Sequence, residues 1–175
     1  MGTVEAAWGL ALSLCLCLGL CLGLSGCGPS RPGLEAGLRL SGAQAVQAPI
    51  AVEAYRIDTS TRVAEAGERR IGTYRALAGP FALGAGEVGT LKGLVMGSAG
   101  PRTTSGCKFQ PLVAYRFVGR GEVVDVLVCF NCNELAAFSN ERPLGVEALG
   151  DRRAAWVHLT QRVFPNDGIV ATLQP

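Results

Sequence analysis

The sequence predicts an α+β fold: a small antiparallel sheet with a central hairpin, packed by one or two helices. Three observations carry that prediction. Residues 112–118 and 123–130 are alternating apolar runs separated by Gly119, Arg120, Gly121 and Glu122, the composition of a hairpin turn. Residues 151–164 place Ala155, Trp156, Leu159 and Val163 on one helical face and stop at Pro165. With 175 residues, the chain is long enough for one domain with its own core and too short for two.

The apolar excess behind the 49% hydrophobic composition sits in the first 26 residues. All 16 Lys and Arg follow Cys27, with 13 of the 14 acids, so the later part carries 16 minus 13, or +3. Basic residues pair at most, as Arg69 with Arg70 and Arg152 with Arg153, and no aromatic residues interleave with them. That pattern is a solvated surface and argues against nucleic acid as a partner.

Residues 8–26 hold no charge and are dominated by Leu, Cys, Gly and Ala, as in the apolar region of a secretion signal. An anchor helix is the alternative, since about 20 apolar residues span a bilayer. Gly9, Gly19 and Gly23 weaken such a helix, and no basic stop-transfer cluster follows at once. The run ends in Leu24, Ser25, Gly26 and Cys27, which resembles the lipobox of bacterial lipoprotein signals. The resemblance implies cleavage before Cys27 and attachment of diacylglycerol to its thiol, with fatty acyl chains such as palmitate as the anchor. The start departs from the signal pattern, because residues 1–7 contain Glu5 and no Lys or Arg. Either reading, lipid or helix, predicts a domain outside the cytoplasm in the bacterial cell envelope, with the membrane as its first partner. Cys15, Cys17 and Cys21 fall within the apolar run.

Residues 27–49, rich in Gly, Pro, Ala and Ser, read as the lipidated cysteine and a flexible tether, and residues 50–175 as the single domain. Residues 50–57 form the first predicted strand. A polar connection follows through Arg70, then a strand over 71–77 that Pro80 closes. Val88, Leu91 and Val95 stand at helical spacing within residues 86–97, although Gly89 and Gly93 weaken that helix. Gly84, Gly86 and Gly89 spell the dinucleotide fingerprint GxGxxG, but no acid occurs between Glu87 and Glu122 to hold a ribose. In a chain with 24 glycines the match is chance.

A turn centred between Arg120 and Gly121 sets Arg116 opposite Asp125, Tyr115 opposite Val126, Phe117 opposite Val124 and Val113 opposite Val128. One face of the hairpin is then strongly apolar. The other carries Leu112, Cys129, Ala114 and Leu127 with the Arg116 and Asp125 pair, a structural cross-strand ion pair or a ligand-orienting one. Residues 134–138 continue as a further strand.

Extended outward, that register puts Cys107 opposite Glu134, within one or two places of Cys132. Three chemistries are open to these sulfurs. A disulfide between Cys107 and Cys132 would staple a loop to the hairpin and leave Cys129 as a buried thiol. A zinc site would use Cys107, Cys129 and Cys132 with the lone histidine, His158, although structural zinc sites usually show two CxxC pairs. Thiol redox through CxxC needs a thiolate stabilised by a helix N-terminus or a cation, and here the motif follows a strand.

Asp151 is the predicted N-cap of the last helix, with Trp156 as its main anchor and His158 facing solvent. No GxSxG nucleophile turn accompanies the single histidine, which disfavours a hydrolase.

Cys107, Phe109 and Pro111, then Tyr115, Arg116 and Phe117, then Val124, Asp125, Val126, Leu127, Val128, Cys129, Phe130, Asn131 and Cys132 carry a CxF/YxP, AxR, VDxxxCFxC pattern. The series resembles a family of small uncharacterised bacterial secreted or lipoprotein domains, over roughly residues 70–140. The resemblance implies a genuine domain unit and no particular substrate. The functional expectation is a membrane-anchored envelope lipoprotein, a binding or structural protein rather than an enzyme, with an unidentified protein or ligand as partner and no cofactor. The alternative is a thiol-redox or metal-binding protein built on the three cysteines.

Overall fold

A computed structural model describes residues 42–60, 67–97 and 106–175, all within the unit Pro32–Pro175. Cys27, the N-terminal apolar run and most of the tether lie outside the described residues. Among the described residues, no helix is long and apolar enough to cross a membrane.

The fold is α+β. In chain order it comprises α1 (Ala43–Gln47), β1 (Ala51–Ile57), β2 (Arg70–Ile71), β3 (Tyr74–Ala82), α2 (Ala85–Met96), β4 (Val113–Val118), β5 (Val123–Cys129), β6 (Glu134–Ser139), β7 (Arg142–Ala148), a 3-10 turn (Gly150–Arg152), α3 (Arg153–Val163) and α4 (Gly168–Ala171). The strands make one curled antiparallel sheet in the order β2-β3-β1-β4-β5-β6-β7, larger than the small sheet expected. Its centre is the predicted hairpin, with Arg116 opposite Asp125, Tyr115 opposite Val126, Phe117 opposite Val124 and Val113 opposite Val128. Alternation explains that register, because a slip of one residue would turn the whole apolar set away from the core.

The apolar face of β4, β5 and β6 is buried with Leu91, Leu94 and Val95 of α2 and with Trp156, Val157 and Leu159 of α3. Trp156 and Tyr115 are both fully buried, their ring centroids 5.9 Å apart. The Tyr115 hydroxyl and Thr160 Oγ1 share a 2.8 Å hydrogen bond, which satisfies two polar groups inside that core. Arg152 donates from Nη1 to Leu94 O at 2.6 Å and Gly97 O at 2.7 Å, so it closes the C-terminal end of α2. A smaller cluster on the opposite face joins Tyr55, Ile57, Ile71, Ala114 and Leu127, with Tyr74, Phe109 and Phe138 packed against it.

Four sequence expectations change. The tether ends before Pro49, because α1 buries Ala45 and Val46 in the main core. Pro80 does not close the strand. β3 continues to Ala82, since Pro80 falls in the register irregularity between the Ala78 and Phe81 pairings with β1, a bulge where proline is tolerated. Asp151 is not the N-cap, for it lies in the 3-10 turn and Arg152 holds the cap position without a side-chain bond. The buried stripe of α3 is Trp156, Val157, Leu159 and Thr160, while Ala155 is exposed.

Candidate functional site

The cysteine motif sits where β5 ends. Residues 130–133 turn the chain into β6, and Asn133 adopts a left-handed φ of 55° that asparagine tolerates. Asn133 N donates to Phe130 O at 3.2 Å, and Arg153 Nη1 donates to the same carbonyl at 2.7 Å. The Arg153 guanidinium also stands 5.8 Å over the Phe130 ring, so α3 grips the turn at both its backbone and its side chain.

The sulfurs of Cys107 and Cys132 are 1.99 Å apart, disulfide distance, across 25 positions of sequence. Cys129 is a buried free cysteine. The backbone N–H groups of Gln110 and Cys132 both donate to its Sγ, each at 3.4 Å. One amide comes from each of the two segments carrying the Cys107 and Cys132 sulfurs. Burial, and next the neighbouring Cys129, push the Tyr74 phenol above its ordinary pKa. Cys107 does not reach the expected position opposite Glu134. That place is taken by Cys129, because β5 pairs with β6 there and β4 begins only at Val113.

His158 is exposed on α3. Among the described residues, no group of three His, Cys, Asp or Glu side chains is gathered to hold a metal ion.

Phe130 and Asn131, the interior of the CxxC, form one wall of an open cleft of about 210 Å³. Gln110, Leu112, Thr59, Ile169 and Leu173 complete its lining. Ile169, on its rim, is 59% exposed. The cleft can seat an apolar group beside the Asn131 amide, while Gln110 Nε2 already donates to Thr59 O at 3.2 Å.

Arg116 and Asp125 lie on the sheet face away from the helices. Arg116 Nε and Nη2 donate to the two Asp125 carboxylate oxygens at 2.7 and 2.8 Å, a bidentate pair. The hydrogen bond to Asp125 raises the Arg116 pKa further. The Arg116 guanidinium stands 5.8 Å over the Tyr55 ring, with Arg69 at 5.9 Å from the same ring. Tyr55 donates its hydroxyl to Glu53, and burial, followed by that carboxylate, raises the phenol pKa. Nε and Nη2 of Arg116 are thus engaged by Asp125, an arrangement that fixes the two central strands.

Sequence reading missed Glu53 and Tyr55, which extend this charged and aromatic face onto β1, and it missed Arg56 and Asp167. Arg56 had a signal, since it follows Val52 and Ala54 at alternate positions and so shares their inward face. No family model, no curated protein and no solved structure matches the chain.

Proposed function

We propose that the chain is an envelope lipoprotein, tethered through lipid on Cys27, whose domain binds a protein or small ligand outside the cytoplasm. The observation that carries the binding role is the cleft at the cysteine turn. Its wall of Phe130 and Asn131 is held by Arg153 and flanked by the Cys107 and Cys132 pair, so the rim is pre-organised before a ligand arrives. The charge-free run ending in Leu24, Ser25, Gly26 and Cys27 supports the tether.

Expression of the full chain in a bacterium tests the tether. Wild type is expected in the membrane fraction with the mass of the chain from Cys27 plus diacylglycerol, and Cys27→Ala is expected to lose the lipid mass. An unlipidated wild type would sink the reading.

A second reading is favoured by the two amides at Cys129. In it, the Cys129 thiolate attacks Cys132 Sγ, a Cys129–Cys132 bond forms, and Cys107 leaves as the thiolate. Electrons balance without an outside oxidant. Trapping with an alkylating reagent at neutral pH would then label Cys107 as well as Cys129, whereas a fixed staple exposes only Cys129 after denaturation.

A further inference from the structure

Arg56 is the last inward-facing residue of β1, and its side chain is only 7% exposed. Burying a charge is costly unless it is paired and hydrogen-bonded, and here most of the guanidinium is. Nε donates to Asp167 Oδ2 at 2.9 Å, and Nη1 donates to Ile57 O at 2.7 Å and Leu112 O at 2.8 Å. Asp167 Oδ1 in turn accepts from Ile169 N and Val170 N, both at 2.9 Å. Both carboxylate oxygens are therefore engaged, while Arg56 Nη2 donates to no described residue.

Arg56 and Asp167 form the polar end of a cleft of about 250 Å³. Its apolar walls are Ala78 and Phe81 of β3 with Phe164 and Pro165 after α3. Phe81 is 42% exposed and meets Phe164 edge to face, their centroids 5.4 Å apart. The Arg56 and Asp167 charges offset one another, so a cation gains nothing there. What Arg56 still offers is Nη2, which has no partner among the described residues and is not one of the fully buried unpartnered atoms, so water reaches it and a ligand oxygen can take that water's place. The space is smaller than a drug-sized pocket of about 300 Å³ or more and fits one ring or one branched chain.

We propose that this cleft binds a small acyl group, with its carbonyl or carboxylate oxygen on Arg56 Nη2 and its apolar body between Phe81 and Phe164. The site is separate from the lipid anchor and from the cysteine turn, and its test does not depend on either.

The test titrates the full chain with benzamide, benzoate or benzylamine, following the arginine Nε–H NMR signals. Benzamide or benzoate is expected to shift the Arg56 signal with a dissociation constant on the order of millimolar. Benzylamine, with the same ring and donors in place of the acceptor oxygen, is expected to leave it unmoved. Binding of benzamide alone identifies a neutral carbonyl ligand, and binding of benzoate alone a carboxylate. Ala78→Phe fills the mouth from an exposed position and leaves Arg56 intact, so it is expected to weaken binding about tenfold, the loss of one apolar contact surface. Three results would overturn the proposal: neither oxygen-bearing probe binds at about 10 mM, benzylamine binds equally well, or Ala78→Phe binds as wild type does.

Discussion

Asp167 and Arg56 are 111 positions apart in sequence, yet Arg56 Nε donates to Asp167 Oδ2 at 2.9 Å. Burial pushes the Asp167 carboxyl upward, but the Val170 amide and the Arg56 charge outweigh it and hold the group below its ordinary pKa. A carboxyl with a depressed folded pKa contributes stability that is fully present above its unfolded value, about 3.9. That contribution is lost as pH falls through the folded value. Urea denaturation at descending pH is therefore expected to show wild type losing stability below about pH 4 more steeply than Asp167→Asn. Equal slopes would mean that Asp167 is not held ionised by Arg56. Half of this pair was legible in the sequence, because alternation along β1 puts Arg56 among inward residues. Its partner was not, since nothing local to Asp167 reports a contact made through the tertiary fold. Arg116 and Asp125 were legible together because a tight hairpin turn fixes which residues face each other.

Among the elements, the β4–β5 hairpin was read most fully and α1 least. The hairpin announces itself by alternation around a glycine turn, where Gly119 N donates to Glu122 O at 2.8 Å and Gly121 takes a φ of 80°. α1 is too short for helical periodicity to show, and its place is set by contact with that turn. A Cβ on Gly119 would stand 2.8 Å from Ala45 Cβ and 2.9 Å from Ala45 Cα. Gly119→Ala is thus expected to push α1 off the hairpin and cost about 1–3 kcal/mol, the usual range for overpacking. A denaturation midpoint unchanged from wild type would show that α1 docks without this contact. β7 escaped notice because Pro143 and Gly145 break its pattern, which an edge strand tolerates. The face of α3 was misread by part of a turn for a related reason. Thr160 counts as polar in sequence, but its bond to Tyr115 lets it be buried.

For the whole molecule, the pairing of Cys107 with Cys132 ties the loop before β4 to the turn after β5. Closing a loop of this length restricts the unfolded chain and is worth about 3 kcal/mol in the chain-entropy account. That staple suits an oxidising compartment, and it holds the rim of the cleft formed by Phe130, Asn131 and Gln110. Sequence narrowed the cysteines to three chemistries and stopped there, because the distance between sulfurs depends on where β4 begins and how residues 130–133 turn. The most direct measurement is the intact mass of residues 28–175, made in an oxidising compartment, denatured, and alkylated with and without prior reduction. One alkyl group without reduction, mapped to Cys129, and three after reduction are predicted. Three groups without reduction would contradict the staple and with it the pre-organised rim on which the binding role rests.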